Sequence, residues 1–250
     1  GYYLLDLETG EEIRLAPFPP DQGGGAPGST MRVSPTGERI LYTLFNNMEP
    51  PEHLGIGSVW TMNPDGTDHR KLVGSDELSY PALAIWSPDG KQIAYLRLPD
   101  PKAVWEGKAD AESTELWVMN ADGSEQKKVA QLPSVDYTLG TANSIQWLLN
   151  DHIYVLTRFT SAGEWLQINP RTGEVTQLME GVQIGDVIIS PDTRWILVGG
   201  VVSEAEIAAL GRQPLRLLAA SVAWDRKGER VAFTPSPYVY GDGATREKGI

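Results

Sequence analysis

The chain is built mostly from short runs of apolar, β-branched and aromatic residues, and turns rich in Pro, Asp, Asn and Gly separate these runs. In one example, the turn Ser87-Pro88-Asp89-Gly90 is followed by Lys91-Gln92-Ile93-Ala94-Tyr95-Leu96. Pro fixes φ at about −65°, and Asp-Gly completes a tight turn, so the segment predicts strand, turn and strand. The pattern along the chain therefore predicts a series of antiparallel hairpins.

The first kind of hairpin contains this turn and recurs with variations. Weaker copies are Val33-Ser34-Pro35-Thr36-Gly37, Ile189-Ser190-Pro191-Asp192 and Trp224-Asp225-Arg226-Lys227-Gly228, while Trp147 takes the place of Trp86 in a fifth copy. The predicted hairpins span 32–44, 85–97, 145–157, 187–199 and 222–234. Repetition at intervals of tens of residues indicates a repeat architecture.

The second kind of hairpin carries an Asx residue at the same place in every copy. These residues are Asp6, Asn63, Asn120 and Asn169. A short polar side chain at such a position can bond to the main chain two residues on and close the turn. Because the residue recurs in each repeat, we interpret it as part of the framework and not as a ligand-binding group.

Two successive hairpins make a four-stranded sheet, and repeats of this length predict an all-β β-propeller in a single domain, 1–250. The predicted blades are 32–73, 83–130, 143–179, 186–218, and 221–235 together with 2–15, followed by a tail at 236–250. The first and last hairpins would share one blade and close the ring. We count five blades, with six as the alternative. The capping pattern from Ser203 to Glu206 predicts one short helix near 203–210.

Composition limits the classes of partner. The net charge is −12 and the pI is about 4.7, which argues against nucleic acid and anionic membranes, since both require basic footprints. The absence of cysteine excludes disulfides and thiolate chemistry. No run of 18 apolar residues is present, so no transmembrane segment is expected.

The two hairpins resemble the repeats of the TolB-like (WD40-like) β-propellers, which also occur in prolyl oligopeptidase-like peptidases. The matching motifs are Trp86-Ser87-Pro88-Asp89-Gly90-Lys91-Gln92-Ile93-Ala94-Tyr95 and Leu116-Trp117-Val118-Met119-Asn120-Ala121-Asp122-Gly123-Ser124. The resemblance implies a propeller and a periplasmic, cell-envelope or extracellular location. It implies no single function, since these repeats serve as scaffolds in many proteins.

The sequence offers no catalytic constellation, so we expect no enzyme activity, cofactor or metal site. The Gly-x-Ser-x-Gly element of a hydrolase is missing, and the three histidines, His53, His69 and His152, lack metal-binding spacing. A glycosidase would need paired carboxylates facing the channel, for which Asp136 and Asp186 are the candidates. We consider this alternative weaker than a binding role.

The leading hypothesis is a non-catalytic scaffold that binds a protein or peptide through loops at one end of the ring, where 45–57 and 99–114 emerge. Two alternatives stay open: a gating propeller of a peptidase without its hydrolase domain, and a structural surface or filament subunit. For Trp105 two interpretations stay open: that it folds back onto its own blade, which we favour, and that it is a contact residue for a partner. The candidate partner-binding residues are Tyr80, Trp105, Asp136, Tyr137 and Asp186.

Overall fold

The computed structural model consists almost entirely of antiparallel β-sheets. It describes residues 3–5, 10, 12–14, 27–46, 56–110, 113–133, 135, 145–157, 163–182, 187–198, 213–216, 219–224, 227 and 229–235. The chain divides into two compact units, Gly1–Gln183 and Ile184–Ile250. No helix among the described residues has the length and apolar character needed to cross a membrane.

The first unit contains a small hairpin and three four-stranded sheets. The hairpin pairs β1 (Tyr3–Leu5) with β2 (Glu12–Arg14). Sheet I contains β3 (Pro27–Val33), β4 (Ile40–Asn46), β5 (Ile56–Met62) and β6 (Arg70–Gly74). Sheet II contains β7 (Ser79–Trp86), β8 (Gln92–Pro99), β9 (Thr114–Asn120) and β10 (Lys127–Leu132). Sheet III contains β11 (Ile145–Trp147), β12 (Ile153–Leu156), β13 (Gly163–Ile168) and β14 (Val175–Val182).

Every one of these three sheets is an antiparallel meander, in which each strand pairs with the next along the chain. Alternate side chains of β8 face opposite neighbours: Ile93 and Tyr95 join a core cluster with sheet I, and Ala94 and Leu96 join one with sheet III. This division follows from the two-residue period of a strand. Sheet II therefore lies between sheets I and III and is buried on both faces.

The second unit contains a three-stranded sheet and a hairpin. Sheet IV pairs β15 (Val187–Ile189) with β16 (Trp195–Val198) in antiparallel fashion, and β16 with β17 (Gln213–Arg216) in parallel. The hairpin pairs β18 (Ala219–Trp224) with β19 (Val231–Pro235). The predicted helix near 203–210 lies outside the described residues, and ring closure by the terminal hairpins stays a prediction.

The Ser-Pro-Asp-Gly turns owe their residues to hydrogen bonding within the turn. Ser87 Oγ accepts a bond of 2.9 Å from the Gln92 amide and donates one of 2.7 Å to Asp89 Oδ1. Asp89 also accepts from the Lys91 amide at 3.0 Å, and this bond, followed by the Ser87 bond, holds the pKa of Asp89 below its ordinary value. Gly90 has φ of 73°, which favours glycine. Ser190 and Asp192 repeat the Ser–Asp bond in sheet IV.

The Asx turns differ from the expectation at two of their four positions. Asn169 Oδ1 accepts from the Arg171 amide two residues on, at 2.9 Å, as predicted. In sheets I and II the turn is closed instead by Asp65 and Asp122, each of which accepts from the amide two residues on, that of Thr67 or Ser124, at 2.9 Å. Asn63 Oδ1 accepts instead from Arg39 Nη1 at 2.6 Å, a charged donor that makes the stronger bond. Asp6 lies outside the described residues.

Candidate functional site

The segment between β8 and β9 carries the one helix found in the described part of the chain, α1 (Pro101–Trp105). Asp100 caps its first turn, since Asp100 Oδ1 accepts a bond of 3.0 Å from the Ala103 amide. The Asp100 amide in turn donates to the Leu78 carbonyl at 2.8 Å, which fixes the segment to the preceding loop. The sequence analysis expected a loop here, because five residues are too few to show helical periodicity.

The helix ends in a Schellman motif. The Gly107 amide bonds to the Val104 carbonyl at 3.0 Å, and the Lys108 amide bonds to the Ala103 carbonyl at 2.8 Å. Gly107 has φ of 70°, the left-handed conformation that this motif requires. Ala103 is buried and anchors the helix to the sheet. Both ends of the short helix are thereby held in place.

Trp105, the last residue of α1, is 86% exposed. The interpretation that it folds back onto its own blade is therefore wrong: Ala103 occupies the buried side of the helix, and Trp105 faces away from it. Leu78, on the adjoining loop, is also half-exposed. We call residues 99–110 and 113 together with Leu78 the insertion surface. The neighbouring insertion, 45–57, lies largely outside the described residues.

A depression of about 410 Å³ lies beside the insertion surface. Arg97 forms its floor: its guanidinium lies 5.7 Å from the Trp117 ring centroid, its Nε donates to Ser79 Oγ at 2.9 Å, and its Nη2 pairs with Asp76. Glu115 accepts bonds from Lys128 Nζ at 2.6 Å and from Trp117 Nε1 at 2.8 Å. The charged groups of this floor are thus already paired.

Asp76 and Glu115, two of the three carboxylates that line the depression, are ionised at neutral pH. Burial acts to raise the pKa of Asp76, but hydrogen bonds from the Leu78 and Ser79 amides and the charge of Arg97 lower it on balance. Burial also acts to raise the pKa of Glu115. The hydrogen bonds from Lys128 and Trp117 outweigh this effect, so the pKa of Glu115 is lowered as well. A general acid needs a pKa near the working pH, and neither group has one.

Of the other predicted contact residues, the structure describes only Tyr80. Tyr80 is only 1% exposed, so it cannot contact a partner. Tyr80 lies on the first strand of sheet II, and its ring packs in the core shared with sheet III. Because sheet II is covered on both faces, alternation along the strand does not place its side chains in solvent. Asp136, Tyr137 and Asp186 lie outside the described residues, and so does the carboxylate pair of the glycosidase alternative.

Two histidines have partners within or near their own turns. His69 Nε2 lies 3.0 Å from the Gly66 carbonyl, which can only accept, so this nitrogen carries the proton. His69 Nδ1 then accepts from the Tyr42 hydroxyl at 2.7 Å. His152 Nδ1 lies 2.9 Å from the Asn150 carbonyl. Over the residues that the structure describes, no three His, Cys, Asp or Glu side chains come together as a metal site.

One partly buried charge is not among the residues that the sequence singles out. Burial lowers the pKa of Arg32, on the first strand of sheet I, to about 10. Nothing in a β-branched strand pattern distinguishes a buried arginine from an exposed one, so tertiary packing alone reveals it.

Comparison with known proteins shows similarity at the level of structure. No family model matches the chain, and no curated protein is similar to it in sequence. TolB from Acinetobacter baumannii is 15% identical with a TM-score of 0.45, over 63% of this chain and 35% of that one. The β-propeller domain of the Trilobed protease from Pyrococcus furiosus is 18% identical with a TM-score of 0.45, over 66% and 45%.

The tricorn protease is 12% identical with a TM-score of 0.51, over 77% of this chain and 21% of that one. The chain thus spans less than half the length of each of these three structures, and at such identity the likeness concerns the fold alone. The likeness to the tricorn protease agrees with the repeated four-stranded meanders described above. The chain has a β-propeller fold.

Proposed function

We propose that this propeller is a non-catalytic scaffold that binds a protein or peptide partner through the insertion surface. The observation that carries the proposal is Trp105, an almost fully exposed indole on a helix fixed at both ends. Large apolar side chains are normally covered in a free-standing protein, and tryptophan is among the residues most enriched at binding hot spots.

The rigidity of the helix supports a role in recognition. A side chain on a mobile loop loses conformational entropy when it binds, and a pre-ordered one loses less. The Asp100 cap and the Schellman motif supply this order, and Leu78, whose carbonyl binds the Asp100 amide, adds a second exposed apolar side chain to the surface. A partner would cover Trp105 and Leu78 and place polar groups over the depression next to them.

The charges of the depression support binding over catalysis. Arg97 and Glu115 are held by Asp76 and Lys128, so they present fixed polar groups and no free acid or base. Such a surface selects a partner by shape and by hydrogen bonding at the rim. We further propose, from the resemblance to TolB-like repeats, that the chain acts in the periplasm, the cell envelope or outside the cell.

Site-specific photocrosslinking tests this proposal. A benzoylphenylalanine at position 105 should yield a discrete adduct in an envelope extract of the source cells, which mass spectrometry then identifies. The same probe at position 33, where Val33 is 58% exposed on sheet I, is the matched control. An adduct at 105 that is absent at 33 supports the proposal, and equal or absent adducts at both positions oppose it.

A further inference from the structure

A groove of about 770 Å³ lies between sheets II and III and shares no lining residue with the insertion surface. It lies beside the turns that follow β7 and β9 and the corresponding turns of sheet III. Its apolar lining includes Pro88, Val118, Val129, Trp147 and Leu149. Leu149 takes the place of the proline found in three of the other four turns and is 52% exposed. The groove is a second place where apolar groups face solvent.

The equivalent junction between sheets I and II is tied by two hydrogen bonds. Trp86 Nε1 donates to the Arg32 carbonyl across the junction at 3.1 Å. Gln126 Nε2 donates to the Leu72 carbonyl, also across the junction, at 3.3 Å. Both bonds join a side chain of sheet II to the main chain of sheet I.

Neither tie has a counterpart between sheets II and III. Trp147 occupies the place of Trp86 and is only 6% exposed, yet its Nε1 has no hydrogen-bond partner in the described part of the chain. Lys127 pairs with Val118 and Thr176 pairs with Gln167, so Val175, just before Thr176, takes the place of Gln126. The side chain of valine has no hydrogen-bond donor. The junction that lacks both ties is the one that holds the groove.

The unpaired indole indicates what the groove can accept. A buried N–H without an acceptor costs free energy, which a ligand carbonyl would recover. The lining carboxylates are Asp89, Glu125 and Asp151, against two cations, Lys127 and Arg171. Arg171 is already paired with Asp151 at 2.7 Å. The excess of acidic groups, on a chain of net charge −12, favours a basic ligand.

We propose that this groove binds an extended peptide segment in which a bulky apolar side chain is flanked by basic residues. The apolar side chain packs between Trp147 and Leu149, and a main-chain carbonyl accepts the hydrogen bond from Trp147 Nε1. The basic side chains face Glu125 and Asp89. Because the indole nitrogen is covered in the free chain, its ring turns as the peptide enters. This site is separate from the insertion surface and does not depend on it.

The test follows the indole N–H resonance of Trp147 by NMR in the full chain labelled with ¹⁵N-tryptophan. Its assignment comes from the signal that disappears in Trp147→Phe. Titration with acetyl-Arg-Leu-Arg-amide to millimolar concentration, the range in which short ligands bind, should move this signal downfield in a saturable manner. Acetyl-Glu-Leu-Glu-amide should bind at least about tenfold more weakly, because its charges repel the rim.

Two variants separate the groove from the rest of the surface. Leu149→Ser should weaken binding of the basic peptide at least about fivefold, since it removes apolar contact from the groove without changing its charge. The matched variant Leu78→Ser, on the insertion surface, should leave this binding unchanged, and circular dichroism verifies that both variants are folded. A Trp147 signal that does not move with the basic peptide, moves equally with both peptides, or moves equally in Leu149→Ser overturns the proposal.

Discussion

The indole nitrogen of Trp86 on sheet II donates a hydrogen bond of 3.1 Å to the main-chain carbonyl of Arg32 on sheet I. The bond links positions far apart in sequence. It joins the first residue of the repeated pentapeptide in sheet II to the first strand of sheet I. The motif that marks the repeat in the sequence thus also binds one repeat to the next.

Comparison of Trp86 with Trp147 predicts different costs for the same substitution. Trp86→Phe removes a ring and a hydrogen bond, whereas Trp147→Phe removes a similar ring whose N–H has no partner. Trp86→Phe should therefore destabilise by about 1 kcal/mol more than Trp147→Phe. Urea unfolding of the two variants measures the difference, and equal losses would mean that the Trp86–Arg32 bond contributes nothing.

Packing between sheets predicts a large effect at Gly173. A Cβ there would lie 2.5 Å from the Val129 carbonyl oxygen of the neighbouring sheet, in addition to the strain of φ at 75°. Gly37 has a similar φ of 79° but nothing within 4 Å, so it is the matched control. Gly173→Ala should cost at least about 1 kcal/mol more than Gly37→Ala, because main chain must move. Equal unfolding midpoints in urea would contradict the contact between sheets II and III.

A stabilising substitution is predicted at Gly163. Trp60 Nε1 donates to Ser58 Oγ at 2.8 Å, and Trp117 Nε1 donates to Glu115 at 2.8 Å, in each case to the residue two positions earlier. Trp165 takes the place of Leu116 and not of Trp117, since it pairs with Leu156 as Leu116 pairs with Leu96. The residue two positions before it is glycine, which has no side-chain acceptor, and within the described residues Trp165 Nε1 has no partner. Gly163→Ser should raise the free energy of unfolding by about 1 kcal/mol.

The reverse substitution provides the control for that prediction. Ser58→Gly removes the acceptor in sheet I and should destabilise by a similar amount, about 1 kcal/mol. Thermal or urea unfolding measures both variants. If Gly163→Ser is neutral or destabilising while Ser58→Gly is costly, a hydroxyl two positions before Trp165 does not reach its indole N–H.

The turn carboxylates predict a loss of stability in acid. The pKa of Asp89 is lowered in the folded chain, first by the Lys91 amide and then by the Ser87 hydroxyl. A depressed pKa contributes stability above the unfolded value of about 3.9, and this contribution is lost as pH falls through the folded value. The free energy of unfolding should therefore decrease as the pH is lowered below about 4.

Asp89→Asn isolates this contribution. Its curve of stability against pH should be flatter between about pH 5 and 3 than that of the parent chain, because the titrating group is gone. Glu38→Gln, in the corresponding hairpin of sheet I, changes charge equally and serves as the comparison. Parallel curves for the parent chain and Asp89→Asn would exclude Asp89 as a source of the acid sensitivity.

The hairpins could be predicted from sequence because their determinants are local. Ser87, Asp89 and Gly90 set the turn by bonds among themselves and their neighbours, and the strands beside them have clear β-propensity. Helix α1 could not be predicted, since its five residues carry no period and its order comes from Asp100 and Gly107 at the two ends.

The candidate sites depend on packing that no local pattern encodes. Tyr80 and Trp105 are both aromatic residues near strand ends, yet one is buried between two sheets and the other is almost fully exposed. The groove beside Trp147 lies where sheet III has Val175, without a side-chain donor, in the place that Gln126 occupies in sheet II. Such a difference becomes visible only when the repeats are superposed in three dimensions.

The most direct test of the proposed function is the affinity of the purified chain for the partner identified by crosslinking at position 105, measured by isothermal titration calorimetry. Trp105→Ala should weaken binding at least about tenfold, as expected for an aromatic hot spot, and should change the free energy of unfolding by less than about 0.5 kcal/mol because the side chain is exposed. Val33→Ala should leave the affinity unchanged. Unaltered affinity in a folded Trp105→Ala variant would contradict the assignment of the insertion surface as the binding site.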